Sequence, residues 1–117
     1  MPPRSMPAPS KDRLPIRAGD TLPPVHPGEV LAEEYLGPLG LSQNKAALAM
    51  RVPARRINEI VHGKRSVTAD TALRLARYFG TTPEFWVNLQ AHYDLEVARD
   101  ESGARIAREV LALGEGA

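Results

Sequence analysis

Apolar residues in this chain recur at three- and four-residue intervals, and no segment alternates with a two-residue period long enough for a strand. The pattern predicts an all-α protein. A first helix opens at His26–Pro27, carries Val30, Leu31, Tyr35 and Leu36, and ends at Gly37, Pro38 and Gly40. Ser42 is a good N-cap for a second helix, Gln43–Met50. After a tight turn at Arg51–Val52, Pro53 opens a third helix to about His62, closed by Gly63. Thr68 precedes a fourth helix, Ala69–Phe79, with Ala72, Leu73, Leu75, Ala76 and Phe79 at helical spacing and Gly80 as its stop. Thr81 and Thr82 before Pro83-Glu84 start a fifth, with Phe85, Trp86, Leu89, Tyr93, Val97 and Ala98 as its apolar stripe. Gly103 is expected to break it before a last helix over Ala104–Leu113. The sum is a compact five- to six-helix bundle.

One stretch carries a finer pattern. QNKAALAMRVPARRINEIVH, Gln43 to His62, has the grammar of a helix-turn-helix. Ala47 is small where a crossing helix must pass, Val52 plugs the turn, and Ile57 and Ile60 anchor the inner face of the second of the two helices. Arg55, Glu59 and His62 then point nearly opposite Ile57, with Asn58 on one flank and Arg56 on the other. A helix displayed this way can enter the DNA major groove. Arg55 can fork onto guanine or phosphate and Asn58 can read adenine. Gln43, Asn44 and Lys45, at a positive helix end, suit a phosphate, as do Lys64 and Arg65 after the third helix. The candidate DNA-binding set is therefore Gln43, Asn44, Lys45, Arg55, Arg56, Asn58, His62, Lys64 and Arg65. Arg51 departs from the pattern, because the turn position best suited to glycine holds arginine. The same small and branched residues would also serve a plain helical corner inside an ordinary bundle.

Charge bears on that choice. The net charge of the whole chain is only +1, but Ser42–Gly80 holds eight basic residues against Glu59 and Asp70, a net +6. From Thr81 onward the net is −4, and over the first 41 residues it is −1. A basic centre between acidic ends is the footprint of a domain that meets polyanion on one face. Acidic Asp94, Glu96, Asp100 and Glu101 read first as a solvated helix face and alternatively as a contact for a basic partner.

Eight of eleven prolines lie in residues 1–27, so residues 1–25 read as a flexible arm, 26–102 as the helix-turn-helix DNA-binding domain, and 103–117 as a C-terminal helix or tail. The chain contains no cysteine, which leaves no disulfide and no thiolate metal site. Its three histidines are scattered and form no HExxH-like pair, and no nucleophile elbow is present. No catalytic residue, metal site, cofactor or enzymatic role is expected. Apolar runs are far too short to span a membrane, and Met1–Asp20 has no signal-peptide core, so a soluble cytoplasmic protein is expected. Phe85, Trp86, Leu89 and Tyr93 are core candidates first, with a second reading as a dimer seam because Trp and Tyr favour interfaces.

The segments RINEIVHGKRSVT (Arg56–Thr68), TALRLARYFGT (Thr71–Thr81) and PEFWVNLQAHYDL (Pro83–Leu95), with HPGEVLAEEYL (His26–Leu36) upstream, resemble the HigA family of antitoxins. That family is a branch of the XRE/Cro-like helix-turn-helix regulators, and the resemblance spans about His26–Asp100. It implies a lambda-repressor-like five-helix core that forms a homodimer, binds double-stranded DNA at a palindromic operator and represses its own operon. It further implies a partner toxin, a small RelE-like ribonuclease that cleaves messenger RNA at the ribosome and is silenced when bound. Two alternatives stay open at this point. One is a stand-alone XRE-type regulator without a toxin; the other is a toxin-binding module whose DNA binding is vestigial.

Overall fold

Helix formation begins at His26. In the computed structural model, which describes residues 24–114, His26 is extended and its Nδ1 accepts the Gly28 N–H at 2.9 Å. The arm expected over residues 1–25 falls outside the described residues except for its last two, of which Val25 packs against the core. From the cap, α1 occupies residues 27–39 in three registers: α-helical Pro27–Val30, π-helical Leu31–Leu36 and α-helical Gly37–Leu39. Gly37 and Pro38, expected to end the helix, are inside it. Pro38 has no N–H and would press its ring on the carbonyl four residues back, and the wider turn before it, with Gly37 N–H bonded to Ala32 O, relieves that clash. Gly40, left-handed at φ 63°, makes the actual stop.

α2 (Gln43–Met50), α3 (Ala54–Val61) and α4 (Ala69–Phe79) match the pattern closely. Ser42, Thr68 and Thr82 each accept a backbone N–H three residues on, capping α2, α4 and α5. α5 runs Pro83–Glu109 without interruption, so the break expected at Gly103 does not occur. A mid-helix glycine costs only about 1 kcal/mol. Here it sits among alanines and the ion pairs Glu96–Arg99 at 2.6 Å and Arg105–Glu109 at 3.9 Å, which favour continuation. The helix ends instead at extended Val110, and residues 110–113 are not helical. No strand is present among the described residues.

The core gathers Leu31, Tyr35, Ala46, Ala47, Ile57, Ile60, Ala72, Leu75 and Trp86 at the meeting of all five helices. Tyr35 lies between Phe79 and Trp86, with ring centroids 5.0 and 5.2 Å away, and the Trp86 indole N–H donates to Thr81 Oγ1 at 2.8 Å. Two residues of the expected apolar stripes face solvent: Leu73, 60% exposed, and Ala98. Both stand at the margin of their helix's buried arc, so spacing alone does not distinguish them from core.

The turn between α2 and α3 shows how Arg51 fits. It is left-handed, φ 59° and ψ 43°, the only non-glycine residue with positive φ among those described. Its N–H bonds to Leu48 O at 3.2 Å, and the next N–H, of Val52, reaches back to Ala47 O at 3.0 Å. This is the closure that glycine ordinarily provides, with Val52 as its buried plug. Replacing Arg51 with glycine is expected to raise stability by about 1 kcal/mol, the left-handed penalty for a side chain. Urea denaturation checks this; a loss of stability would show that the arginine side chain contributes more than its backbone costs.

Candidate nucleic acid interface

Ile57 and Ile60 lock one side of α3 into the core, both fully buried, and that fixes what the other side presents. Arg55 stands 85% exposed, with Asn58 and His62 on the same outward side. Asn58 Nδ2 donates to Gln43 Oε1 at 3.1 Å, which ties the face of α3 to the start of α2. His62 Nδ1 lies 2.8 Å from the Asn58 carbonyl; a carbonyl only accepts, so Nδ1 carries the proton and Nε2 is left to the outside. Asn44 and Lys45 flank Gln43 on the exposed first turn of α2, and Lys64 and Arg65 are exposed just past Gly63. Seven of the nine expected residues are thus exposed and Gln43 is half-buried, with its hydrogen bond to Asn58 joining the start of α2 to the outer side of α3. Such a surface offers forks for base edges at its centre and cations or helix-end N–H groups for phosphates around it.

Arg56 is the exception. Its side chain is 31% exposed and turns toward α4, 3.7 Å from Asp70, so it belongs to the flank between helices and not to the outward face. The reason is register: Arg56 precedes buried Ile57 on the side that α4 covers. The dimer-seam reading of Phe85, Trp86, Leu89 and Tyr93 needs a similar correction at Trp86, which is fully buried in its own chain and has no surface to offer a second copy. Phe85, Leu89 and Tyr93 are half-buried.

Three supporting residues escape a reading of the sequence. Arg74 donates to the Met50 carbonyl at 3.0 Å and approaches that of Arg51 at 3.5 Å, while its Nε bonds Asp70 at 2.9 Å. It therefore satisfies the last carbonyls of α2 and braces the left-handed turn. The same contact with Arg74 holds the Asp70 carboxyl below its ordinary range. Gln90, buried on α5, accepts the Val67 N–H at 2.8 Å and donates to Asp94 at 2.9 Å, pinning the loop that carries Lys64 and Arg65. His26, stacked edge-on against Tyr93 at 4.8 Å, has its pKa lowered by burial, which keeps the ring neutral and able to cap α1. Asp70 and Arg74 stand four residues apart on one helix, a spacing that suits an ion pair, but the reach of Arg74 across to α2 has no local signal. No signal marked Gln90.

Among the described residues no group of His, Asp or Glu side chains is gathered as a metal site would need, and no helix is long and apolar enough to cross a membrane.

Comparison with known proteins agrees with this fold. The helix-turn-helix family model matches residues 33–86. Virulence-associated protein I of Dichelobacter nodosus is 53% identical over 87 residues, which cover 74% of this chain and 81% of that protein. Among solved structures, an addiction module antidote protein of a HigA family from Coxiella burnetii is 50% identical with a TM-score of 0.75, covering 78% of this chain and 99% of its own. The Pseudomonas aeruginosa antitoxin HigA, solved with the higBA promoter, is 42% identical with a TM-score of 0.75, covering 77% and 98%. Fold and matches together define the class as helix-turn-helix. Within it, the chain belongs to the HigA family.

Proposed function

We propose that this protein is the antitoxin of a toxin–antitoxin pair: a cytoplasmic homodimer that binds a palindromic operator in double-stranded DNA, represses its own operon, and neutralises a RelE-like ribonuclease toxin by direct binding. The observation that carries the DNA part is the α2–α3 surface. There a helix anchored by Ile57 and Ile60 presents Arg55, Asn58 and His62 outward, inside the one strongly basic third of the chain. Asn44, Lys45 and Lys64 have no side-chain partner among the described residues and are free to meet phosphate. The toxin part, the dimer and the palindrome are supported by membership of the family, in which the Pseudomonas protein named antitoxin HigA was solved with promoter DNA.

Two substitutions separate reading from gripping. Arg55→Ala is expected to weaken operator binding by about 1–3 kcal/mol while leaving a scrambled duplex little affected. Lys64→Ala is expected to weaken both alike and to flatten the salt dependence by about one unit. Gel-shift or anisotropy titration measures both; unchanged operator affinity in the Arg55 variant would show that the wrong face has been assigned. For the toxin, the neighbouring gene's product is co-expressed and co-purified with this chain. Recovery of a stable complex that restores growth supports the pair. Operator binding without any such complex would favour a stand-alone regulator, and a complex without operator binding a toxin-binding module.

A further inference from the structure

A carboxylate sits in the middle of the surface just described, where DNA phosphates would approach. Glu59 is not part of the buried core, and its side chain remains 24% exposed on α3 between Arg55 and the loop after Gly63. Its Oε1 takes both Nε and Nη2 of Arg65, at 3.0 and 2.9 Å, and its Oε2 lies 3.4 Å from Nε of Arg55. Two arginines from different elements, one on the helix and one on the loop, are therefore drawn to one acid. The hydrogen bond from Arg65 also holds the Glu59 carboxyl below its ordinary range, so it is charged at neutral pH. The contacts use the inner edges of the arginines. Arg55 nevertheless stays 85% exposed and Arg65 48% exposed, so both side chains remain open to solvent beside the acid.

On a surface meant only to hold polyanion, a negative charge here would be a loss, since it repels every phosphate brought near it. It makes sense where sequence must be told apart. Without Glu59 the two guanidinium groups repel each other and sweep many rotamers; with it both are drawn toward one acid and their range is narrowed. We infer that Glu59 is a positioning residue for operator recognition, holding Arg55 and Arg65 in register with base and phosphate while disfavouring sequence-blind contact. This rests on the DNA-binding reading above. A DNA duplex that gives Arg55 its base gains an oriented fork, and one that does not meets a carboxylate.

The test uses the full chain and two duplexes, its own promoter and a scrambled sequence of equal length, titrated by anisotropy at one fixed salt concentration. Glu59→Gln, nearly isosteric and on the surface, is expected to tighten binding to the scrambled duplex several-fold and to cut the operator preference by on the order of tenfold. In the Arg55→Ala background, Glu59→Gln should have little further effect on that preference. Glu59→Asp, which keeps the charge and shortens its reach, should lower operator preference without any gain on the scrambled duplex. A preference unchanged by Glu59→Gln overturns the inference while leaving the DNA-binding reading intact. An equal drop in both backgrounds also overturns it, by assigning Glu59 a base contact of its own. If the unmodified chain binds both duplexes alike, the DNA-binding reading fails and the role of Glu59 falls with it.

Discussion

Alanine at Gly28 is expected to cost the domain about 3 kcal/mol or more, beyond the usual range for an overpacked core position. The reason is what the new methyl group would meet. A Cβ built there lies 1.7 Å from the Ile60 carbonyl oxygen, 2.6 Å from its carbon and 3.0 Å from Val61 Cα. All three are backbone atoms in the last turn of α3, so no side-chain rotation can relieve the overlap. α1 would have to lift away, taking fully buried Leu31 partly out of the core, or the end of α3 would have to give. Either movement also reaches the candidate interface, because Ile60 anchors α3 and Lys64 N–H bonds back to Glu59 O at 2.8 Å. Urea denaturation followed by circular dichroism measures the loss. A cost under about 1 kcal/mol would mean that α1 does not sit this close to α3 in solution.

Trp86→Ala should cost a comparable amount, about 3–5 kcal/mol. The indole is fully buried, borders Tyr35 and Phe85 with ring centroids 5.2 and 5.1 Å away, and donates its N–H to Thr81. Truncation leaves a large cavity between α1 and α5 and an unused acceptor on Thr81. Trp86→Phe fills most of the cavity and isolates the lost hydrogen bond, worth about 1 kcal/mol. Because the side chain is enclosed within one chain, the destabilisation should be the same at low and high protein concentration. A variant that stays stable but shifts from dimer to monomer with dilution would return Trp86 to a subunit interface.

Most of the helical architecture was legible because local signals coincide with tertiary demands. Ser42, Thr68 and Thr82 cap where side-chain chemistry says they should, and Gly40, Gly63 and Gly80 take the left-handed turns. The outward set on α3 followed from Ile57 and Ile60 alone, since two buried anchors fix the rotation of a short helix. What the sequence left out around the candidate site comes from contact between elements distant in sequence. Arg56 stands on a flank of α3 on a helical projection, and what the projection does not show is that α4 brings Asp70 to within 3.7 Å of it. Trp86 is core, as its first reading has it, and the second reading as a seam residue ends once Tyr35 and Thr81 are seen around it. The run through Pro38 and Gly103 shows the reverse: residues that disfavour a helix in isolation are carried by the turns and ion pairs on either side. Arg74 and Gln90 act across 24 and 23 residues of sequence, which no periodicity reveals.

On the reading proposed above, the α2–α3 surface distinguishes one DNA sequence from another. The most direct test of that reading is titration of the purified chain against its own promoter and a scrambled duplex over a range of salt concentrations. The promoter is expected to be preferred by a factor of about a thousand or more, with affinity for both duplexes falling steeply as salt rises. Equal affinity for the two duplexes, insensitive to salt, would contradict that reading.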